Sequence, residues 1–321
     1  MDYAGLALLI VLTLVFAFLT AQMLRARRRW FWVGALPLGG LTLLFGAATV
    51  LAFVGYQTLN TVYPNPPSPL NAQLTPQLIA DGERFARGCV GCHSSNGQLP
   101  MTGKDFFAHD TGPLVGMLWA PNLTPTHLEA WSDGEIIRAI REGIGRDGRS
   151  LLIMPSAAFR NLSDADVLAV VAYLRAQPAA GAPTPPRQIN VLGAILAATI
   201  FPPEVFSAQP PISAPVLAPP RGPTAAYGGY LVQLGCQDCH GANLAGIPPG
   251  GDGPPPGPNL TMLGDRLTAA QFTQLMRTGT YPDGRTLSEN MPWQDLAGFS
   301  DDDLLAIYAY LSNLEPLPDQ R

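Results

Sequence analysis

Every cysteine in this 321-residue chain belongs to one of two copies of a five-residue pattern, Cys89-Val90-Gly91-Cys92-His93 and Cys236-Gln237-Asp238-Cys239-His240. Within each copy the cysteines lie one helical turn apart and a histidine follows at once. That spacing attaches a c-type haem: each thiol forms a thioether with a vinyl group, and the imidazole turns toward the iron. Four cysteines can instead make two disulfides or a zinc site, but neither explains a histidine beside the second cysteine twice over. The cofactors expected are two covalently bound haem c groups. Cys89, Cys92, Cys236 and Cys239 are the attachment points, with His93 and His240 as metal ligands.

The length leaves room for two small domains and further segments. Hydrophobic residues make up 47% and charged residues 13%, a low charge content that points to a part of the chain in lipid. From Tyr3 to Leu24 the residues are almost all apolar, enough for one membrane span. Arg25-Ala26-Arg27-Arg28-Arg29 follows, and a second apolar stretch runs from Trp30 to about Leu59, interrupted by Pro37, Gly39 and Gly40. Trp30, Phe31, Trp32 and Tyr56 sit near its ends, where interfacial aromatics gather. Asp2 removes the basic start of a cleavable signal, and both stretches exceed its apolar core of roughly 7–15 residues. Residues 1–60 are therefore expected to be a retained two-helix transmembrane hairpin. Its arginine loop favours the cytoplasm, which places the rest of the chain on the periplasmic side of a bacterial inner membrane.

Residues 61–74 contain Tyr63-Pro64-Asn65-Pro66-Pro67-Ser68-Pro69, an extended, stiff spacer. Two matching blocks come next, residues 75–178 and 224–321. Thr75 and Thr224 cap an opening helix that leads through Gly88 or Gly235 into the cysteine motif. Pro121-Asn122-Leu123-Thr124 recurs as Pro258-Asn259-Leu260-Thr261. Ser132 with Glu135, and Thr268 with Gln271, start a middle helix. Asp147-Gly148-Arg149 matches the turn Asp283-Gly284-Arg285, and Met154-Pro155 matches Met291-Pro292. Ser163 with Asp166, and Ser300 with Asp303, cap closing helices that share Ala-Tyr-Leu at 172–174 and 309–311. The first block carries ten extra residues between His93 and Pro121, a candidate docking loop or lid. Between the blocks, residues 179–223 form a proline-rich linker enclosing an apolar run from Ile189 to Phe201. That run is too short to span a bilayer; it can pack on a domain face, lie at the membrane surface or meet a partner.

An iron with one histidine has a sixth position to fill, and a thioether there raises its potential and excludes small molecules. Met154 and Met291 hold equivalent places in the repeat and are the expected metal ligands. Met101, Met117, Met262 and Met276 lack that symmetry. His109 and His127, absent from the second block, are the alternative for a bis-histidine first haem.

Taken together, these motifs resemble class I cytochrome c domains over residues 75–178 and 224–316. The implied fold class is all-α, a transmembrane hairpin followed by two such domains. The resemblance also implies that a proline carbonyl after the haem motif orients the ligating histidine. Pro121 and Pro258 match, with Pro113 competing in the first domain. Tyr173 and Tyr310 would pack the closing helix on the opening one near Gly82 and Gly228. Tandem domains of this type occur in the anchored dihaem subunit of cbb-type oxidases and in the cytochrome subunits of membrane alcohol and gluconate dehydrogenases. Two spans before two haem domains look more like the former, and the wording of the haem domains like the latter.

The expected function is single-electron transfer within a respiratory or photosynthetic chain, as a non-catalytic subunit of a membrane oxidoreductase or oxidase complex. The alternatives are a dihaem enzyme of the peroxidase or thiosulfate dehydrogenase type, or a gas sensor, each of which needs an open haem site. Expected partners are the bilayer, other subunits of the complex and a soluble cytochrome or other redox protein. Beyond residue 60 the chain carries 15 basic and 23 acidic side chains, an excess able to steer a basic partner. Arginines outside the membrane loop are scattered, so no nucleic-acid partner is expected.

Overall fold

The computed structural model describes residues 2–26, 30–107, 114–201, 205–248 and 256–320. Arg27–Arg29, His109 and Pro113 lie outside the described residues. The fold is helical. Strand is confined, among the described residues, to two antiparallel two-residue pairs: β1 (Lys104–Asp105) with β3 (Trp119–Ala120), and β2 (Gly116–Met117) with β4 (Gln188–Ile189).

Helices α1 (Tyr3–Arg25) and α2 (Trp30–Leu59) pack antiparallel, and each is long and apolar enough to cross a membrane. Their seam pairs Thr13 with Thr49 and Thr20 with Thr42, both at 3.3 Å between hydroxyl oxygens, around a Phe16–Phe45 stack at 5.4 Å. Each of these threonines also donates to the carbonyl four residues back, so the polar groups on the seam are satisfied without water. Pro37 lies within α2, which continues through it. Gly39 faces Thr20 on the seam, whereas a Cβ on Gly40 would meet nothing within 4 Å.

The proline-rich segment after α2 is extended, yet it is strapped to the protein. Asn65 is buried, donating to Glu142 Oε2 at 2.6 Å and accepting from Arg138 at 2.9 Å. The Ala72 amide donates to Asp133 at 2.9 Å. The spacer thus runs along a helix of the first repeat.

That repeat consists of α3 (Pro76–Ala86), α4 (Asp133–Glu142) and α5 (Asp164–Ala176). A linking helix α6 (Val191–Thr199) precedes the second, made of α7 (Ala225–Val232), α8 (Ala269–Thr278) and α9 (Asp301–Leu311). Every start matches its capping residue: Thr75, Ser132, Ser163, Thr224, Thr268 and Ser300 each accept an amide hydrogen bond from inside the first turn. Gly143 and Gly279 close α4 and α8 in the left-handed conformation, φ 65° and 68°. In each repeat the opening helix crosses the closing helix at a glycine. A Cβ on Gly82 would collide with the Ala169 carbonyl, and one on Gly228 with that of Ala306. Tyr173 packs beside Gly82, and the Tyr310 ring lies over Gly229. Ile136, Val167 and Val171 centre the first core; Phe272, Leu304 and Ile307 centre the second.

The apolar run in the linker becomes α6, which docks on the end of α2. The Ala194 backbone sits against Gly55, and Tyr56, Leu59, Ala194 and Ala197 are buried together with Leu152. Arg187 donates to the carbonyls of Leu59 and Ser150, and Arg149 to Asn60 at 2.7 Å. The run therefore packs against the end of α2 and against Leu118 and Leu152 of the first repeat. The two repeats meet directly: Tyr230 donates to Asp166 at 2.5 Å and accepts from the Ser163 amide at 3.0 Å, and Phe85 meets Phe299 edge-on at 5.9 Å.

Candidate functional site

The first motif is a 3₁₀ turn, Arg87–Cys89, running into a one-turn helix, Val90–His93; the second is the short helix Cys236–His240. Helical winding brings each cysteine pair to one side and buries the histidine behind it, with 6% exposure for both His93 and His240. None of the four cysteines is in a disulfide, which leaves each available for a thioether. Before haem is attached, burial pushes the Cys89 thiol up to about 12 and the Cys236 thiol up to about 11. Burial also holds the His93 imidazole below its ordinary range, against the opposing hydrogen bond to Pro121. A neutral imidazole is the form that ligates a metal.

His93 Nδ1 lies 2.8 Å from the Pro121 carbonyl, and His240 Nδ1 lies 2.7 Å from that of Pro258. A carbonyl only accepts, so each Nδ1 carries the hydrogen and each Nε2 keeps its lone pair. The Pro-Asn-Leu-Thr strings explain how these carbonyls are held. Asn122 donates to the carbonyls of Ala180 and Ala182 at 2.8 and 3.0 Å, and its Oδ1 accepts from the Thr124 amide at 2.8 Å. Asn259 donates to the Leu317 carbonyl and accepts from the Thr261 amide, both at 2.8 Å. In both repeats, then, the asparagine staples the proline loop to the segment after the closing helix. Asn122 and Asn259 were readable as a repeated motif, but their role as braces needed the fold. A further support is Gly257, where a Cβ would lie 2.7 Å from the His240 ring.

Met154 and Met291 are half-buried and occupy matching turns. The amide two residues on returns to each methionine carbonyl at 2.8 Å, and the intervening prolines share one conformation: Pro155 at φ −77°, ψ 53° and Pro292 at φ −80°, ψ 54°. Their surroundings differ. Met291 packs on the same core cluster as Cys236. The Met154 loop is tied to the linker instead, with the Ile153 amide donating to the Val205 carbonyl at 2.7 Å and Leu152 in the cluster at the end of α2. Met101 and Met276 are core residues. His127 Nδ1 accepts from the Thr184 amide at 3.2 Å, and its ring rests on Trp131, so this histidine has a structural bond of its own. A Cβ on Gly88 or Gly235 would meet no protein atom within 4 Å.

The donor set fits haem c. Each site offers two thiols for vinyl groups and one buried imidazole whose Nδ1 is taken by a proline carbonyl.

The cytochrome c family model matches residues 79–178 and 225–315, each span enclosing one motif. A nicotinate dehydrogenase subunit of Pseudomonas putida is 30% identical over 335 residues, covering 93% of this chain and 26% of that protein. The gluconate 2-dehydrogenase cytochrome c subunit of Pantoea cypripedii is 31% identical over 183 residues, covering 52% of this chain and 39% of that protein. The chain thus spans only about a quarter and two fifths of the lengths of these relatives. With two covalently bound haem c groups on two matched repeats, the chain belongs to the cytochrome c family.

Proposed function

We propose that this chain is a membrane-anchored dihaem electron carrier, serving as the cytochrome subunit of a larger membrane oxidoreductase. It takes single electrons from a dehydrogenase partner and delivers them to a soluble cytochrome or other acceptor on the extracytoplasmic side. Residues 1–60 are the anchor, 61–74 the spacer, 75–178 and 224–321 the two haem domains, and 179–223 the linker between them. Both relatives are named as parts of dehydrogenases, which favours that parent over an oxidase.

The observation that carries the reading is the twofold occurrence of one ligand device. A buried histidine is oriented by a proline carbonyl in each repeat, and a methionine stands in an equivalent turn of each. His93 with Met154, and His240 with Met291, would each hold one haem, and such a ligand pair would let the iron exchange electrons without changing ligands. The protein contributes ligation, burial and docking, and haem supplies the redox chemistry.

Carbon monoxide tests this. The reduced, intact protein is expected to show no spectral change on exposure to the gas. Met154→Ala and Met291→Ala are each expected to open about half of the haem, in line with one sixth ligand per iron. A shift in half the haem of the unmodified protein would overturn the carrier reading for that domain and favour a dihaem enzyme or sensor.

A further inference from the structure

Helix α6 has no polar side. Between Arg187 and Glu204 the chain carries no ionisable residue, and a helix apolar all round needs a cover on every side, either protein or lipid. Protein covers one side: Gly193, Ala194 and Ala197 are buried. Leu192, Ile195, Leu196 and Thr199 recur at the spacing of the opposite face, and none of them is buried. Leu192 is 37% exposed, and Ile200, just past the helix, is 66% exposed. Leu114 adds to this patch at 64% exposure. Asn190, which caps α6, holds it there by donating to the Leu114 carbonyl at 2.7 Å.

The patch is continuous with both long helices at the ends away from the arginine loop. A Cβ on Gly5, in the first turn of α1, would lie 2.7 Å from Val191 Cγ2, and one on Gly55, near the end of α2, would collide with the Ala194 carbonyl. The Tyr56 hydroxyl joins the same three segments, accepting from the Asp2 amide at 3.3 Å and donating to the Ile189 carbonyl at 3.4 Å. About 20 helical residues cross a hydrocarbon layer of about 30 Å; counted along α1 from Arg25, that distance ends at the level of Gly5. We propose that α6 is an interfacial helix, lying at the outer boundary of the bilayer with Leu192, Ile200 and the neighbouring Leu114 among the acyl chains. A patch without charge that prolongs the lipid-facing surface of two spans is suited to lipid. Leu118 and Leu152 are buried against α6, so this contact seats the first haem domain directly on the membrane. The inference rests on the reading of residues 1–60 as a membrane anchor.

Labelling of introduced cysteines tests it, because haem attachment consumes every native thiol and leaves the new one alone to react. The full haem-loaded chain is placed one copy to a phosphatidylcholine nanodisc and exposed to a charged maleimide. Leu217→Cys, at a position 82% exposed between the repeats, sets the rate in open solvent. Leu43→Cys, at an exposed position in the middle of α2, sets the rate inside lipid. Ile200→Cys and Leu114→Cys should react more than about tenfold more slowly than Leu217→Cys, since a charged reagent is excluded from hydrocarbon. All four positions are exposed, so each variant should keep the haem absorption bands of the parent. If Leu43→Cys is protected while Ile200→Cys and Leu114→Cys react at the solvent rate, the inference is overturned, the anchor stands, and the patch is left for a protein partner. If Leu43→Cys itself reacts at the solvent rate, the anchor reading is overturned, and this inference with it.

Discussion

Arg84 in the first repeat donates to Asp303 in the second at 3.1 Å, across 219 residues of sequence. The same guanidinium donates to Asp166 of its own repeat at 3.0 Å and to the Tyr227 hydroxyl at 2.8 Å. Asp166 and Asp303 are the same residue of the two repeats, each bonded through its amide to the serine that caps the closing helix. One cation therefore lies between two equivalent carboxylates. Tyr230 holds the place matching Arg84, two residues past the glycine at the helix crossing, and it serves Asp166 from the other side. The two haem domains are joined by a near-twofold polar cluster with Arg84 between the two carboxylates and Arg221 standing 3.6 Å from Asp303.

Arg84 is only 6% exposed and Asp303 is fully buried. Arg84→Met would take the cation from Asp166 and leave Asp303 only the longer contact to Arg221 at 3.6 Å, and removing one partner of a buried ion pair costs ~3–5 kcal/mol. A clear fall in the denaturant midpoint of the haem-loaded chain is expected. Arg84→Lys should lose less, because it keeps the charge but not the fork that reaches two carboxylates. An unchanged midpoint for Arg84→Met would show that the cluster does not hold the domains together.

The helix crossings make a second prediction. At Gly82 and Gly228 an added methyl would meet backbone carbonyls, which cannot swing aside as a side chain does. Overpacking of this kind costs ~1–3 kcal/mol, so Gly82→Ala and Gly228→Ala should each lower the melting temperature.

His127 gives a pH dependence. Its Nδ1 accepts from the Thr184 amide and must be unprotonated to do so; burial holds its imidazole below the ordinary histidine range. Between that depressed value and the unfolded value of about 6.5, the unfolded chain binds more protons. The stability tied to this histidine is thus complete above the unfolded value and is lost as pH falls through the folded one. The melting temperature of His127→Asn should differ most from the parent near neutrality, and the gap should narrow as the solution is acidified. A gap that widens on acidification would contradict this.

Much of the architecture was legible because it is encoded within a few residues. The spacing of Cys89, Cys92 and His93, and of Cys236, Cys239 and His240, is a chemical requirement of haem attachment. The six capping residues mark helix starts within a single turn, and two apolar stretches of membrane length advertise α1 and α2. The duplication exposed the equivalent turns at Met154 and Met291 and the prolines at 121 and 258. The fold alone decided which distant side chains meet. The docking of Ala194 on Gly55, the strapping of Asn65 to Glu142 and the Arg84 cluster all join residues with no shared period or motif. Such contacts depend on how closely helices can approach at a glycine and on which charges are then trapped together without water. Those are properties of the packed chain, and no local window of sequence contains them.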